Sequence, residues 1–310
     1  MKYGVLRYSY SNNIGDEMQS IAAQCFLPRV DVTIERDRLH WYKDNGPITV
    51  PFNGWFTRPA FPACWPPPPN LRPLFVSWYA VVPEALINER TAGYFKQYEP
   101  IGCRSLPTIK CFEQVGVSAY HSGCLTLTLP ESRAERTDDI YIVDADPALV
   151  EKVVPESVRA RAKYLSHLTP TGQVTSDTGW SVLDFYLKVW NRLDRNMTRM
   201  RAHRERLLVR RHEQRMAMAR ERLAVYARAR LVITGLLHCS MPCLALGTPV
   251  VLLKPDLDEN PRFDGLKELV RYRSSGRDGL NINWERPGPN DDAYKAFAEK
   301  LSRTMRAALS

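Results

Sequence analysis

Short apolar runs alternate with stretches whose apolar positions recur every three or four residues, and this alternation governs most of the chain. Tyr3 to Tyr8 reads as a strand. Asn12-Asn13-Ile14-Gly15-Asp16-Glu17 then turns into a helix that places Met18, Ile21, Ala22, Cys25 and Phe26 on one face. Strand, polar turn and helix together open an α/β unit. Further strands are predicted at 48–53, 74–79, 100–103, 117–120 and 125–129, with helices over 84–97 and 106–115. Pro59, Pro62, Pro66 to Pro69 and Pro73 make residues 56–73 an irregular loop, because proline lacks the amide donor a helix needs.

A second series starts at Asp139. Residues 140–143 read as a strand, Asp144-Ala145-Asp146-Pro147 as the start of a helix, 164–168 as a strand, and 169–179 as a Gly/Thr/Ser loop before a long Arg-rich helical region. The sharpest local pattern follows. Leu231-Val232-Ile233-Thr234 is a buried-strand run, 235–238 a turn, 239–246 a short helix, Gly247-Thr248-Pro249 a stop, and 250–253 the next strand. This β-α-β unit sets a tight loop at a strand's carboxyl end, where open α/β sheets place their ligands. Two such series predict two doubly wound, Rossmann-like domains over 1–135 and 136–290, closed by an amphipathic helix within 291–310.

Composition supports a globular chain: 310 residues are 44% hydrophobic and 25% charged. Charge refines this. The formal net charge is +9, and residues 192–230 alone hold 13 Arg, no Lys and four acids, so the rest of the chain is balanced. Residues 192–225 contain no aromatic side chain, which argues against a nucleic-acid surface. Met216, Ala219, Leu223 and Tyr226 form an apolar stripe that turns most of these arginines outward, as a solvated face or as a basic surface for anionic donors and lipid-linked acceptors. Cys25, Cys64, Cys103, Cys111, Cys124, Cys239 and Cys243 are odd in number and irregular in spacing, which fits neither a disulfide framework nor a metal ribbon. Cys239 and Cys243, beside His238, read as small buried side chains in a reducing cytosol, with no metal expected. No run approaches the roughly 18 to 20 apolar residues of a membrane span, and no signal peptide is evident at the start. The expectation is a cytoplasmic protein whose basic segment allows peripheral attachment at the inner face of the membrane.

Four blocks carry a resemblance. They are Asn13-Ile14-Gly15-Asp16-Glu17, Pro100-Ile101-Gly102-Cys103-Arg104, Ser122-Gly123-Cys124-Leu125-Thr126-Leu127-Thr128-Leu129, and the stretch from Arg220 to Thr234 continued by His238-Cys239 and Pro242 to Val250. In this order they resemble the polysaccharide pyruvyl transferase family. The resemblance implies two Rossmann-like domains facing a cleft, as in glycosyltransferase-B folds, with the acceptor on the N-terminal side and the donor on the C-terminal side. It implies transfer of pyruvate from phosphoenolpyruvate to two hydroxyls of a sugar in a cell-surface polysaccharide precursor, forming a ketal. Phosphoenolpyruvate is then a co-substrate, no cofactor is needed, and the partner is a sugar or lipid-linked oligosaccharide; oligomeric state is left open.

Phosphoenolpyruvate presents a carboxylate and a phosphate, which calls for fixed cations, Arg above all. Its vinyl carbon must gain a proton while a hydroxyl loses one, and His is the natural proton carrier near neutral pH. His238 matches the histidine of the family's Arg-Leu-His signature at the donor site, flanked by Leu237 and Cys239. Arg104 matches a strand-end arginine that binds the donor's anion. Asn13, Gly15 and Asp16 form the first β-α turn, where Asp16 can take protons from sugar hydroxyls, and Ser122 and Gly123 are expected to line the cleft. Three positions depart from the family pattern: Leu236 stands for Arg, Ser105 for Asp and Tyr79 for His. An arginine within about 5 Å of His238, Arg104 or Arg262, would restore the charge absent at Leu236. A catalytically silent glycan-binding member and a glycosyltransferase-B enzyme using another activated donor are the alternatives.

Overall fold

The computed structural model describes residues 1–42, 46–56, 65–169, 198–277 and 279–310. The first strands are β1 Lys2–Arg7, β2 Val32–Glu35, β3 Ile48–Phe52, β4 Trp55–Phe56, β5 Leu71–Phe75, β6 Tyr79–Ala80, β7 Ile101–Cys103 and β8 Ala119–His121. Strands β1, β3, β7 and β8 fall where strands are predicted, whereas β2 and β4 fall where none is, and β5 starts inside the predicted loop because Pro73 excludes a helix but not an edge strand. Strands β2-β1-β3-β5 make a parallel sheet in that order, and β4 pairs with β6 just beyond the ends of β3 and β5. Trp78 bridges Cys103, which brings the parallel pair β7-β8 to the same edge. The second sheet is also parallel, in the order β10-β9-β11-β12-β13, from β9 Ile140–Val143, β10 Lys163–Leu165, β11 Leu231–Thr234, β12 Val250–Leu253 and β13 Arg271–Arg273. In each sheet the first strand lies between the second and third, so the strand order reverses beside β1 and beside β9. Such reversals open the crevices in which doubly wound sheets hold ligands.

The helices are α1 Gly15–Gln24, α2 Pro83–Leu86, α3 Glu89–Lys96, α4 Leu106–Gln114, α5 Pro147–Val153, α6 Glu156–Arg159, α7 Thr198–Arg228, α8 Leu237–Ala245 and α9 Ala293–Leu309. Alternation along β1 and its next residue sends Tyr3 and Val5 to one apolar cluster and Leu6 and Tyr8 to another, so both faces are covered. The cluster around Val5 runs through α1 and α8 to Val143 and Val232 of the second sheet. The other face of that sheet buries Ile142, Ile233 and Val251 with Leu149 and Val150 of α5. Among the described residues no helix is long and apolar enough to cross a membrane.

Several predicted elements are corrected. Residues 125–129 are a 3-10 turn over Leu125–Thr128, tied by the Thr128 hydroxyl to the Leu125 carbonyl at 2.7 Å. Leu125, Thr126 and Leu127 are all buried, and an alternation of five residues with every side covered does not specify a strand. The helix predicted over 84–97 divides because Asn88 is extended and forms a capping box with Thr91. The strand at 74–79 breaks at Ser77, whose φ is +54°. The strand predicted at 164–168 ends at Leu165, and the turn at 235–238 is shorter because α8 starts at Leu237. The predicted loop beyond Thr169, the Arg-rich residues before Thr198, and Cys64 lie outside the described residues; the six described cysteines are free.

Arg206, Arg210, Arg220 and Arg228 of α7 are exposed, as the amphipathic pattern predicts. Arg215 is not. It is fully buried and grips Glu17 through two 2.8 Å contacts, from Nε to Oε1 and from Nη2 to Oε2, while also donating to the Ser11 and Asn13 carbonyls. Arg7 at the end of β1 meets Glu205 of α7 at 2.6 Å and Glu35 of β2 at 3.3 Å. Breaking a buried pair leaves an uncompensated charge, so Arg215→Met is expected to cost about 3 to 5 kcal/mol in urea unfolding. The exposed Arg220→Ala should stay within about 0.5 kcal/mol of wild type. Equal effects of the two would contradict this assignment.

Candidate active site

The carboxyl ends of β1 and β10 meet. Asn13 forms an antiparallel bridge with Leu168, the Ile14 amide donates to the His167 carbonyl at 3.0 Å, and the Thr169 amide donates to the Asn12 carbonyl at 2.8 Å. The first β-α turn of one sheet is therefore stitched to a strand end of the other. Within the turn, Asn13 Oδ1 accepts from the Gly15 amide at 2.8 Å and starts α1. A Cβ on residue 15 would lie 2.9 Å from His238 Cβ and 3.1 Å from His167 Nδ1, a spacing that only glycine permits.

His238 is the second residue of α8 and lies in a non-helical bend, with ψ near 19°, after an extended Leu236. Thr234 fixes this entrance to the helix: its hydroxyl accepts from the Leu236 amide at 3.1 Å and donates to the Val143 carbonyl at 2.8 Å. Arg104 Nη1 lies 3.0 Å from His238 Nε2. A guanidinium can only donate, so Nε2 accepts and the imidazole proton sits on Nδ1. That nitrogen is 3.9 Å from Asp16 Oδ1. Burial, then the charges of Arg104, Arg262 and His167, hold His238 well below the usual imidazole pKa of 6.5. It is a neutral donor at pH 7, which differs from the proton-storing acid that its residue type suggests.

Arg104 follows β7, is 0% exposed, and lies over the Tyr79 ring at 4.8 Å from its centroid. Nη1 also donates to Gln19 Oε1 at 3.3 Å, while His121 Nε2 donates to the Arg104 carbonyl at 3.0 Å. Among the described residues its Nε and Nη2 have no hydrogen-bond partner, and neither do Arg262 Nε, His238 Nδ1 and His167 Nδ1. Burial and the neighbouring Arg262 lower the Arg104 pKa to about 10, so it remains a cation. Asp16, 2% exposed, accepts from Ser11 Oγ at 2.5 Å, Trp55 Nε1 at 2.8 Å and Gln19 Nε2 at 3.4 Å. The site thus sets a carboxylate at one end and cationic or N–H donors at the other.

The predicted residues divide accordingly. Asn13, Gly15, Asp16, Arg104 and His238 come together; Leu237 and Cys239 turn into the core, and Leu236 packs half-buried against it. The Ser122 hydroxyl accepts from the Ser77 amide at 3.0 Å and donates to the Cys103 carbonyl at 2.9 Å, which fixes the β5–β7 edge. Gly123, at φ +78°, faces Phe297 of α9. Sequence reading missed His167, Trp55 and Gln19. His167 lies beyond a strand's carboxyl end, where a rule of position could have singled it out; its Nε2 meets the Tyr226 hydroxyl at 2.7 Å. Among the described residues no three His, Cys, Asp or Glu side chains group as a metal site. A cavity of about 560 Å³ lies elsewhere, between the β5–β8 edge and α9, lined by Pro73, Tyr98, Tyr120, Lys300, Thr304 and Met305.

Parallel α/β sheets meeting at a buried Arg–His–Asp constellation define a candidate enzyme site formed by strand-end loops. The sequence profile of the Polysaccharide pyruvyl transferase family matches residues 13–256, most of the chain and all four of these blocks, and the protein belongs to that family. The membership indicates a transferase of polysaccharide biosynthesis. No protein of curated function matches the sequence as a relative.

The His238 environment gives a pH prediction. Its folded-state pKa is depressed, so an unfolded chain takes up the proton first and this group's contribution to stability is lost as pH falls below about 6.5. Imidazole ¹⁵N spectra should show His238 still in the neutral Nδ1–H form at pH 6.5, where an ordinary imidazole is half protonated. A midpoint near 6.5 would contradict the buried Arg104 contact.

Proposed function

We propose that this protein transfers pyruvate from phosphoenolpyruvate to two hydroxyls of a sugar in a cell-surface polysaccharide precursor, releasing phosphate and leaving a ketal. The observation that carries the reading is Arg104, fully buried against His238 with two guanidinium nitrogens unpartnered among the described residues. A buried cation without an acid is costly unless an anion joins it. Phosphoenolpyruvate supplies two anionic groups for Arg104 and Arg262, and the charge missing at Leu236 is met from the opposite sheet.

Asp16 and His238 then act on the acceptor. A hydroxyl oxygen between Asp16 Oδ1 and His238 Nδ1, which are 3.9 Å apart, gives its proton to the carboxylate while accepting from the imidazole N–H. The freed oxygen attacks the substituted vinyl carbon, and Asp16 returns the proton to the methylene carbon, which becomes the methyl group. The second hydroxyl displaces phosphate, and its proton leaves with that group. In this reading 1–135 is an acceptor-side Rossmann-like half and 136–290 a donor-side half, in a glycosyltransferase-B-like arrangement closed by 291–310. The chemistry suits a cytoplasmic site with lipid-linked acceptors at the inner face of the membrane.

A second reading, a member that holds a glycan without turnover, is favoured by Leu236 and by the closure of the site, where His238 and Asp16 are each 2% exposed. Turnover separates the two. Incubation with phosphoenolpyruvate and extracts containing lipid-linked sugars should release phosphate. Arg104→Met should weaken donor affinity by about one to two orders of magnitude, and Asp16→Asn should slow turnover about 10²- to 10⁴-fold with donor affinity retained. No phosphate release, together with no thermal shift on adding the donor, would refute the transferase reading.

A further inference from the structure

Trp55 lies at the junction of the acceptor and donor groups. It is the first residue of β4, in register with Tyr79 of β6, the ring over which Arg104 lies. Its Nε1 donates to Asp16 Oδ1 at 2.8 Å, the same oxygen that faces His238 Nδ1. The indole is held rigidly: the Arg36 guanidinium lies 4.0 Å from its centroid, and Arg36 Nη1 donates to the Trp55 carbonyl at 3.0 Å. Arg36 is fixed in turn by Asp37, which accepts from Nε at 3.1 Å and from Nη2 at 2.9 Å. Arg104, Asp16 and His238 are buried, whereas Trp55 is only half-buried.

We infer that Trp55 is the platform on which the acceptor sugar rests. A pyranose has hydroxyls at its edge and an apolar C–H face, and an indole whose N–H edge adjoins a carboxylate complements both. The ring would take the C–H face while Asp16 takes a hydroxyl. Clamping by Arg36 means that little side-chain freedom is lost on binding. Trp55 thereby becomes a determinant of which sugar, and which of its hydroxyl pairs, reaches Asp16. The inference rests on the proposed transferase reading for its acceptor class, but sugar contact can be measured without turnover.

The test compares Trp55→Phe, which keeps a ring and loses the N–H, with Trp55→Leu, which loses both, each checked for folding by thermal unfolding. Saturation-transfer NMR with a panel of methyl hexopyranosides, without donor, should show contact in wild type, retained in Trp55→Phe and lost in Trp55→Leu. With donor, Trp55→Leu should raise the acceptor KM about five- to tenfold and leave the phosphoenolpyruvate KM unchanged. A merely structural role would move both KM values and the unfolding temperature together. Wild-type acceptor affinity in Trp55→Leu, an equal rise in both KM values, or Trp55→Phe behaving as Trp55→Leu would overturn the platform. If wild type holds sugars through Trp55 yet releases no phosphate, the transferase reading fails and the platform stands; if it contacts no sugar, the platform falls.

Discussion

A guanidinium buried with no carboxylate hydrogen-bonded to it among the described residues is the constraint on which the rest of the site depends. Arg104 is held by a ring, an amide oxygen and an imidazole, which orient a cation without neutralising it. Surrounding a cation with neutral partners is unfavourable for the empty protein and favourable once an anion arrives. The same contact fixes the rest of the chemistry. Because Arg104 occupies His238 Nε2, the imidazole must present Nδ1–H toward Asp16, and because it is buried, with Arg104 and Arg262 positive beside it, it stays neutral. One contact thus sets a tautomer and a direction, and burial sets the charge.

A second set of charges holds the other side in place. Glu17 immediately follows Asp16, and its buried pair with Arg215 ties the start of α1 to α7. Arg215 also bonds the carbonyls of Ser11 and Asn13, so one side chain secures the whole turn that presents Asp16. The basic excess of the chain thereby has a division of labour. Arg206, Arg210, Arg220 and Arg228 of α7 are exposed, while Arg215 is internal and structural.

Much of this was legible in the sequence, for reasons that also explain what was not. The central strands β1, β3, β9, β11 and β12 are short apolar runs bounded by turn residues, whereas β2 Val32–Glu35 and β13 Arg271–Arg273 carry too many polar positions to stand out as strands. Asn13, Gly15, Asp16, Arg104 and His238 sit at strand ends, where periodicity and resemblance agree. Leu125 to Leu129 misled because two-residue alternation is also compatible with a tight turn covered on every side. Arg104 and His238 are 134 positions apart, so their contact has no local signature. Trp55 and His167 escaped because a single aromatic or imidazole after a strand looks like any core residue until the fold brings Asp16 or Gly15 against it. Arg215 was hidden by its neighbours, since a run of arginines conceals the one that turns inward.

The most direct test of the central claim follows the Arg104 guanidinium itself. In ¹H–¹⁵N spectra recorded as phosphoenolpyruvate is titrated in, the Arg104 Nε–H and His238 Nδ1–H signals should shift together and saturate at one donor concentration. Saturable donor binding that leaves both signals unmoved would contradict the account, because the anion would then be held elsewhere.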